Sequence, residues 1–223
     1  MPADLKAVIF DLDGTLVDTA DEFIIVVQAL RAEHGLAAMD EGLIRSTVSS
    51  GARALVSLAL KLSEGQPEFE RKRLRLLELY REVLGTAARP YPGIERLIGQ
   101  LQARGIAWGV CTNKPRAYTA PLMSSLNFNP APACTVCPDD VSETKPHPEP
   151  LYLSCKIIAC APHQAIYVGD HRRDIEAGRR AGMVTIAAAY GYIEPGDDPA
   201  DWGATARVNC STHLSSLILG TIN

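Results

Sequence analysis

The sequence lacks both a long hydrophobic run and an excess of basic charge. Its longest apolar stretch, residues 23–27, ends at Gln28, far short of the roughly 18–20 residues that a membrane span requires. The 22 basic and 26 acidic side chains give a net charge of −4, whereas nucleic-acid and membrane-surface proteins normally carry a clustered basic face. No basic-then-apolar leader opens the chain, because Asp4 and Lys6 lie beside a short strand-like run. We therefore expect a soluble cytoplasmic protein that binds neither nucleic acid nor a membrane.

The sequence also lacks a regular spacing of cysteines. Its six cysteines are scattered through a chain that is large enough to fold without disulfide bonds. Cys134 and Cys137 form a Cys-x-x-Cys pair, but the chain has no matching second pair of the kind that binds zinc. This stretch has the pattern of a buried strand, so we expect packed, reduced thiols in preference to a metal or redox centre.

The order of apolar patterns along the chain predicts alternating strands and helices with one helical insertion. Residues 7–10 are apolar throughout and end abruptly in polar residues, as a buried parallel strand does. Residues 18–85 follow a helical spacing of apolar residues. Beyond this segment, helices are predicted at residues 94–104, 117–126, 148–160 and 174–181, and strands at residues 106–111, 135–137, 165–168 and 184–189.

This alternation predicts an α/β fold with a doubly wound, Rossmann-like parallel sheet that helices cover on both faces. We expect residues 1–17 and 86–223 to form this core, and residues 18–85 to form a helical cap inserted after the first strand. A chain of 223 residues, 47% of them hydrophobic, is long enough for one core domain with such an insertion.

Polar residues follow four of the five predicted core strands. Ligands bind beyond the carboxyl ends of strands in an open parallel sheet, so we expect these residues to meet at one pocket. They are Asp11, Asp13, Gly14, Thr15, Thr112, Asn113, Lys114, Asp139, Asp140, Lys145, Asp170 and Asp174. Converging carboxylates repel one another unless a cation is present, and their oxygen atoms suit Mg²⁺.

Asp11 and Asp13 are two residues apart, and the alternation of a strand puts both on one side. One carboxylate can then attack phosphorus while the other transfers the proton of the leaving group. The alternative, a polar turn without chemistry, is disfavoured by the polar residues that follow the other strands.

The segment Asp-Leu-Asp-Gly-Thr-Leu-Val-Asp at residues 11–18 resembles the first motif of haloacid-dehalogenase-type phosphatases. Residues 112–113, 145–146 and 169–174 are similar to the second, third and fourth motifs of that superfamily. The four motifs occur in the expected order, and the resemblance covers essentially the whole chain, including a helical cap after the first motif. It implies a Mg²⁺-dependent hydrolase of small phosphate monoesters.

The resemblance also implies a role for each motif residue. Asp11 would be the nucleophile that forms an aspartyl-phosphate, and Asp13 the acid and then the base. Thr112 would bind a phosphoryl oxygen, and Lys145 would neutralise negative charge. The Asp11 carboxylate, the Asp13 backbone carbonyl and Asp170 would hold the Mg²⁺ ion.

The remaining motif residues are expected close to the phosphate or behind the metal ligands. Gly14, Thr15 and Asn113 are assigned to phosphate binding. His171 occupies a position where family members more often carry an acidic or hydroxyl residue, so we expect it, together with Asp174, to support the metal ligands without touching the ion.

Selection of the substrate is expected to depend on the cap. The turn that contains Ser50, Gly51 and Arg53 can present one arginine to a substrate carboxylate, although an ordinary helix start with an exposed arginine fits the same residues. Residues 49–56, 137–151 and 190–203 resemble family members that act on N-acetylmuramic acid 6-phosphate in peptidoglycan recycling. The alternative substrate is 2-phosphoglycolate. A phosphomutase, a phospho-accepting receiver and an inactive binding module are the other interpretations, and none has a feature in its favour.

Overall fold

A computed structural model describes residues 1–220 of the chain. The last three residues of the predicted core segment, 221–223, lie outside the described part. The strands are β1 Ala7–Phe10, β2 Val17–Asp18, β3 Arg89–Pro90, β4 Ala107–Cys111, β5 Cys134–Val136, β6 Ala165–Gly169, β7 Val184–Ala188 and β8 Ala206–Val208. The α-helices are α1 Ala20–Glu33, α2 Glu41–Thr47, α3 Gly51–Leu60, α4 Phe69–Val83, α5 Ile94–Ala103, α6 Arg116–Leu126, α7 Glu149–Ile158, α8 Arg172–Arg180 and α9 Leu214–Leu219.

Six strands form one parallel sheet in the order β5-β4-β1-β6-β7-β8. Alternate residues of β1 face opposite sides of this sheet because successive side chains of a strand point to opposite faces. Val8 and Phe10 pack into a hydrophobic cluster with α5, α6 and α9, whereas Ala7 and Ile9 pack into a second cluster with α7 and α8. The sheet is therefore covered on both faces, which confirms the predicted doubly wound fold.

The strand order reverses at β1, which lies between β4 and β6. Phe10, the last residue of β1, is in register with Val110 and with Val168. The residues that follow these three strands therefore leave the sheet at the same level, and a crevice at such a reversal is the usual ligand site of an open α/β sheet.

Helices α1 to α4, which we call the cap helices, pack around a hydrophobic cluster separate from those of the sheet. Leu30, Leu55 and Leu76 are fully buried in it. Two short chain connections link the cap helices to the sheet, and β2 and β3 pair there as a small antiparallel ladder. The two units still touch through Tyr118 of α6 and Tyr192, which pack into the cluster of the cap helices.

Several element bounds differ from the predicted ones for local reasons. Helix α8 begins two residues before the predicted start because the Nδ1 atom of His171 accepts a hydrogen bond from the Arg173 amide and caps the helix. The strands β2, β3 and β8 and the helix α9 were not predicted, since they are too short to show a period. Within residues 1–220, none of the helices combines the length and apolar character that crossing a bilayer demands.

Candidate active site

Lys145 is the centre of a buried ion-pair group at the carboxyl ends of β1 and β6. Its Nζ atom lies 2.8 Å from an Asp11 oxygen and 2.7 Å from an Asp174 oxygen. The Tyr167 hydroxyl and the Cys111 backbone carbonyl complete its surroundings, at 2.7 Å and 3.1 Å. The side chain of Lys145 is 1% exposed, so this positive charge is held at one place beside Asp11.

The pKa values in this group follow from burial and from the neighbouring charges. Burial raises the pKa of Asp11 to about 6, against the opposing effect of Lys145. Burial alone would lower the pKa of Lys145, but the carboxylates of Asp11 and Asp174 outweigh it and hold that pKa above its ordinary value. Lys145 is therefore a permanent cation near neutral pH.

Asp170, the residue after β6, is held from three directions. One oxygen accepts a hydrogen bond from the Thr15 hydroxyl at 3.0 Å. The other accepts from the Tyr192 amide at 2.9 Å and from the Ser49 hydroxyl of the cap at 2.8 Å. Burial, followed by the negative charges of Asp11 and Asp174, raises the pKa of Asp170 to about 8.

Close backbone approach around Asp170 explains the glycine at position 14. Gly14 has a φ of +81°, a region that side-chain-bearing residues rarely adopt. A Cβ atom there would also overlap the Asp170 carboxylate. The geometry of this turn therefore requires glycine, and Gly14 lies directly against the Asp170 carboxylate.

The site fits a divalent cation. Asp11, Asp170 and Asp174 each offer a carboxylate oxygen, and these atoms lie within 4.8 Å of one another. Three buried carboxylates around the single ammonium group of Lys145 leave uncompensated negative charge, which a hard cation would neutralise. Both oxygens of Asp174 are already engaged, one by Lys145 and the other by the His171 amide at 3.1 Å. Both oxygens of Asp170 also accept hydrogen bonds, so the choice of Asp11 and Asp170 as the carboxylate ligands stays a prediction.

Asp13 has a different environment from Asp11, although the two are only two residues apart. Its carboxylate accepts hydrogen bonds from the Thr19 hydroxyl at 2.6 Å and from Lys114 Nζ at 2.9 Å. Lys114 also donates to the Tyr80 hydroxyl at 2.7 Å. Each aspartate is therefore paired with its own lysine, which suits two carboxylates with separate chemical tasks.

The second motif shapes the cavity and fixes the third motif. Thr112 is buried, and its hydroxyl accepts a hydrogen bond from the Lys114 amide at 3.1 Å. The side-chain amide of Asn113 donates to the Lys145 backbone carbonyl at 2.9 Å and accepts from the Lys145 amide at 3.2 Å. Asn113 therefore positions the Lys145 backbone, and phosphate binding by Thr112 and Asn113 stays a prediction.

A cavity of about 570 Å³ opens over these residues, between the sheet and the cap helices. Most of the predicted residues line it: Asp11, Asp13, Ser50, Gly51, Arg53, Thr112, Asn113, Lys145, His171 and Asp174. Gly14, Thr15 and Asp170 lie behind this lining. Thr15 is fully buried, and its hydroxyl is directed to Asp170, so a direct phosphate contact by Thr15 stays a prediction.

The cap turn before α3 reaches the core directly. The Ser50 hydroxyl contacts the carboxylate of Glu194, and Ser49 contacts Asp170 as described above. Arg53 lines the cavity, but its guanidinium lies 3.1 Å from a Glu64 oxygen and 3.8 Å from a Glu70 oxygen. Its side chain is 54% exposed. This environment agrees with the alternative interpretation of the sequence, an ordinary helix start with an exposed arginine.

Five residues of the site were assigned no individual role from the sequence: Ser49, Tyr80, Lys114, Arg173 and Tyr192. Four of them adjoin residues that the sequence analysis had singled out, so proximity in the chain was an available signal. No such signal marked Tyr80, because it reaches the cavity from a charge-rich helix and has no predicted site residue beside it in the chain.

The cysteines take no part in the lining of the cavity. All six are free thiols. Burial raises the pKa of Cys111 to about 12 and that of Cys134 to about 11, so both thiols stay protonated near neutral pH. Within residues 1–220, the aspartate cluster is the one group of three side chains placed to hold a metal ion.

Comparison with known proteins agrees with this site. The haloacid dehalogenase-like hydrolase family matches residues 8–188, which include all four motifs. The chain belongs to this family.

Two relatives and one solved structure are similar to the chain over almost their whole length. The N-acetylmuramic acid 6-phosphate phosphatase of Pseudomonas aeruginosa is 47% identical over 214 residues, which cover 96% of this chain and 95% of the relative. A phosphoglycolate phosphatase of Xanthomonas campestris pv. campestris is 37% identical over 209 residues, 91% of each chain. Among solved structures, a predicted phosphoglycolate phosphatase from Haemophilus somnus 129pt superimposes with a TM-score of 0.84 at 25% identity, covering 97% of this chain and 99% of the other.

Proposed function

We propose that this protein is a phosphatase that hydrolyses a small phosphate monoester through an aspartyl-phosphate on Asp11. The observation that carries the proposal is the pairing of Asp11 with Lys145 and of Asp13 with Lys114 at the floor of one cavity. The core would comprise residues 1–17 and 86–223, and residues 18–85 would form the cap.

The reaction would proceed in two displacements. An Asp11 oxygen attacks phosphorus, the bond between phosphorus and the ester oxygen breaks, and Asp13 gives its proton to the departing alcohol. Asp13 then accepts a proton from water, the water oxygen attacks phosphorus, and inorganic phosphate leaves with Asp11 regenerated. Lys145 stays protonated throughout and stabilises the negative charge that is shared by Asp11 and the phosphoryl group.

Mg²⁺ is the proposed cofactor. The carboxylates of Asp11 and Asp170 and the backbone carbonyl of Asp13 would hold it, with Asp174 and His171 behind them. When bound, the ion supplies positive charge to the phosphoryl oxygens. Thr15, Tyr192 and Ser49 orient Asp170 for this task through the hydrogen bonds described above.

The proposed substrate is N-acetylmuramic acid 6-phosphate, released in peptidoglycan recycling. Two observations support it over 2-phosphoglycolate. The relative from Pseudomonas aeruginosa named for this substrate shares 47% of its residues with the chain. The cavity of about 570 Å³ suits a substituted sugar, with Phe23, Leu77 and Tyr118 available for its apolar faces, whereas phosphoglycolate would leave most of the space empty.

The test is Mg²⁺-dependent release of phosphate from a panel of N-acetylmuramic acid 6-phosphate, 2-phosphoglycolate, glucose 6-phosphate and glucosamine 6-phosphate. We expect kcat/KM for the muramic acid ester to exceed the others by about tenfold or more, which corresponds to about 1.4 kcal/mol of transition-state binding. A preference for 2-phosphoglycolate would replace the substrate and leave the chemistry in place.

The chemistry itself is tested by Asp11→Asn, because an amide cannot form the phosphoenzyme. We expect this variant to lose activity with every substrate, including an aryl phosphate, while its circular dichroism spectrum stays native. Asp201→Asn, at an exposed carboxylate, is the matched control and should keep full activity. An Asp11→Asn protein with more than about a tenth of the wild-type rate would refute the mechanism.

A further inference from the structure

Three arginines line the cavity, and they differ in what neutralises them. Arg53 is paired with Glu64 and Glu70, and Arg73 forms a fork-like contact with Glu70. Arg173 forms no ion pair with any carboxylate of residues 1–220.

The two lysines of the cavity are also paired with carboxylates, Lys114 with Asp13 and Lys145 with Asp11 and Asp174. Within the described chain, Arg173 is therefore the cavity cation whose charge is left for a ligand.

The His171 side chain holds Arg173 in place. The Arg173 Nε atom donates to His171 Nδ1 at 3.1 Å, and its Nη2 atom lies 2.9 Å from His171 Nε2. Glu194 is a further carboxylate near His171, and it accepts a hydrogen bond from the Ser50 hydroxyl.

A short chain of contacts connects the backbone of His171 to the phosphate site. The His171 amide donates to Asp174, Asp174 contacts Lys145, and Lys145 contacts Asp11, at 3.1, 2.7 and 2.8 Å. Arg173 and Asp11 line the same cavity. A substrate with its phosphorus at Asp11 can therefore place a second anionic group at Arg173.

We propose that Arg173, braced by His171, binds the carboxylate of the substrate and makes the enzyme selective for phosphate monoesters that carry a second anion. This inference rests on the proposed phosphatase function. A guanidinium has a planar fork that matches a carboxylate in two parallel hydrogen bonds, and it gains most where no other carboxylate competes. Arg53, which the sequence favoured for this role, is already paired with glutamates of the cap. This proposal also gives a role to the histidine at position 171. It positions Arg173, whereas an acidic residue there would neutralise the arginine.

The test compares two sugars that differ in one group. N-acetylmuramic acid 6-phosphate carries a lactyl carboxylate that N-acetylglucosamine 6-phosphate lacks. For Arg173→Gln we expect kcat/KM to fall about 10- to 100-fold with the first sugar, mainly through KM, and to change less than about twofold with the second. If 2-phosphoglycolate proves to be the substrate, the same selective loss is expected with it.

Two arginine variants serve as controls. Arg172→Gln changes the adjacent residue, which lies outside the cavity lining and is paired with Asp197 at 2.8 Å, and it should leave both sugars unaffected. Arg53→Gln should weaken both sugars equally or neither. Equal loss with both sugars in Arg173→Gln, no loss with either, or a carboxylate-selective loss in Arg53→Gln would each overturn the inference.

A binding measurement covers the case in which Arg173→Gln does not fold. Wild-type protein should bind N-acetylmuramic acid at least about tenfold more tightly than N-acetylglucosamine in calorimetry, and Arg173→Lys should reduce that difference. Equal binding of the two sugars by the wild type would overturn the inference. Hydrolysis of an aryl phosphate separates the two proposals: its absence in the wild type refutes the phosphatase, whereas Arg173-dependent sugar binding would still support the carboxylate site.

Discussion

Removal of divalent metal should make the stability of this protein fall as pH rises. In the folded, metal-free state, burial and the neighbouring carboxylates raise the pKa of Asp170 from 3.8 to about 8. The unfolded chain has already released this proton above pH 5. Because the folded state binds more protons than the unfolded state, the free energy of unfolding decreases with increasing pH.

The size of the effect follows from the same pKa difference. Integration of the proton uptake of Asp170 between pH 6.5 and 8.5 gives a loss of about 2 kcal/mol, or about 4–8 °C in Tm for a chain of this size. Asp11, with a pKa of about 6, adds most of its effect below this range. Lys145 adds none, because its raised pKa keeps it protonated in both states. The lowered pKa of His171 acts in the opposite direction and offsets at most about 0.4 kcal/mol of this loss, because the unfolded chain releases that proton around pH 6.5.

The assay is urea unfolding in EDTA at pH 6.5, 7.5 and 8.5, repeated with saturating Mg²⁺. The ion favours the charged carboxylates, so it should reduce or reverse the decline. Asp170→Asn removes the titrating group and should flatten the metal-free profile. Asp197→Asn, at a carboxylate paired with Arg172 outside the cluster, should retain the wild-type slope. A metal-free wild type whose stability is constant or rises between pH 6.5 and 8.5 would refute this account of the cluster.

Two further substitutions test the cation beside Asp13 and the core of the cap helices. Lys114→Met removes the ammonium group that holds both Asp13 oxygens at 2.9 and 3.2 Å, so kcat for an aryl phosphate should fall about 10- to 100-fold; the exposed Lys156→Met is the control, and an unchanged kcat would contradict the role of Lys114. Leu76→Ala should cost about 2–5 kcal/mol in urea unfolding because Leu76 is fully buried, whereas Leu74→Ala, on the same helix and 50% exposed, should cost less than about 1 kcal/mol. Equal losses for the two leucine variants would show that the cluster of the cap helices does not contribute to the measured transition.

The convergence of the motif residues could be predicted from the sequence because it depends on local rules. An apolar run followed by a carboxylate marks the carboxyl end of a buried strand, and such ends meet at one edge of a parallel sheet. Asp11, Lys145 and Asp174 are therefore expected near one another from the sequence alone. Their ion pairs at 2.8 and 2.7 Å agree with it.

The contacts between the cap helices and the core could not be predicted in the same way. They depend on how two separately packed units meet, which no periodicity encodes. Tyr80 reaches Lys114 over 34 residues, and Ser49 reaches Asp170 over 121. The pairing of Arg53 with Glu64 likewise depends on the loop after α3, whose path has no pattern in the sequence. For the same reason, the motif residues were easier to assign than those that select the substrate.

The cavity wall is divided by chain segment, and this division affects how the protein can be altered by mutation. The groups aimed at phosphorus belong to the sheet, whereas Phe23, residues 48–53, Arg73 and Leu77 belong to the cap segment. A mutational library confined to these cap codons, with Ser49 and Tyr80 retained to hold Asp170 and Lys114, would vary which alcohol is released while the hydrolytic chemistry stays constant. The part of the substrate selectivity that lies outside Arg173 is therefore accessible to mutation through a few contiguous stretches of the gene.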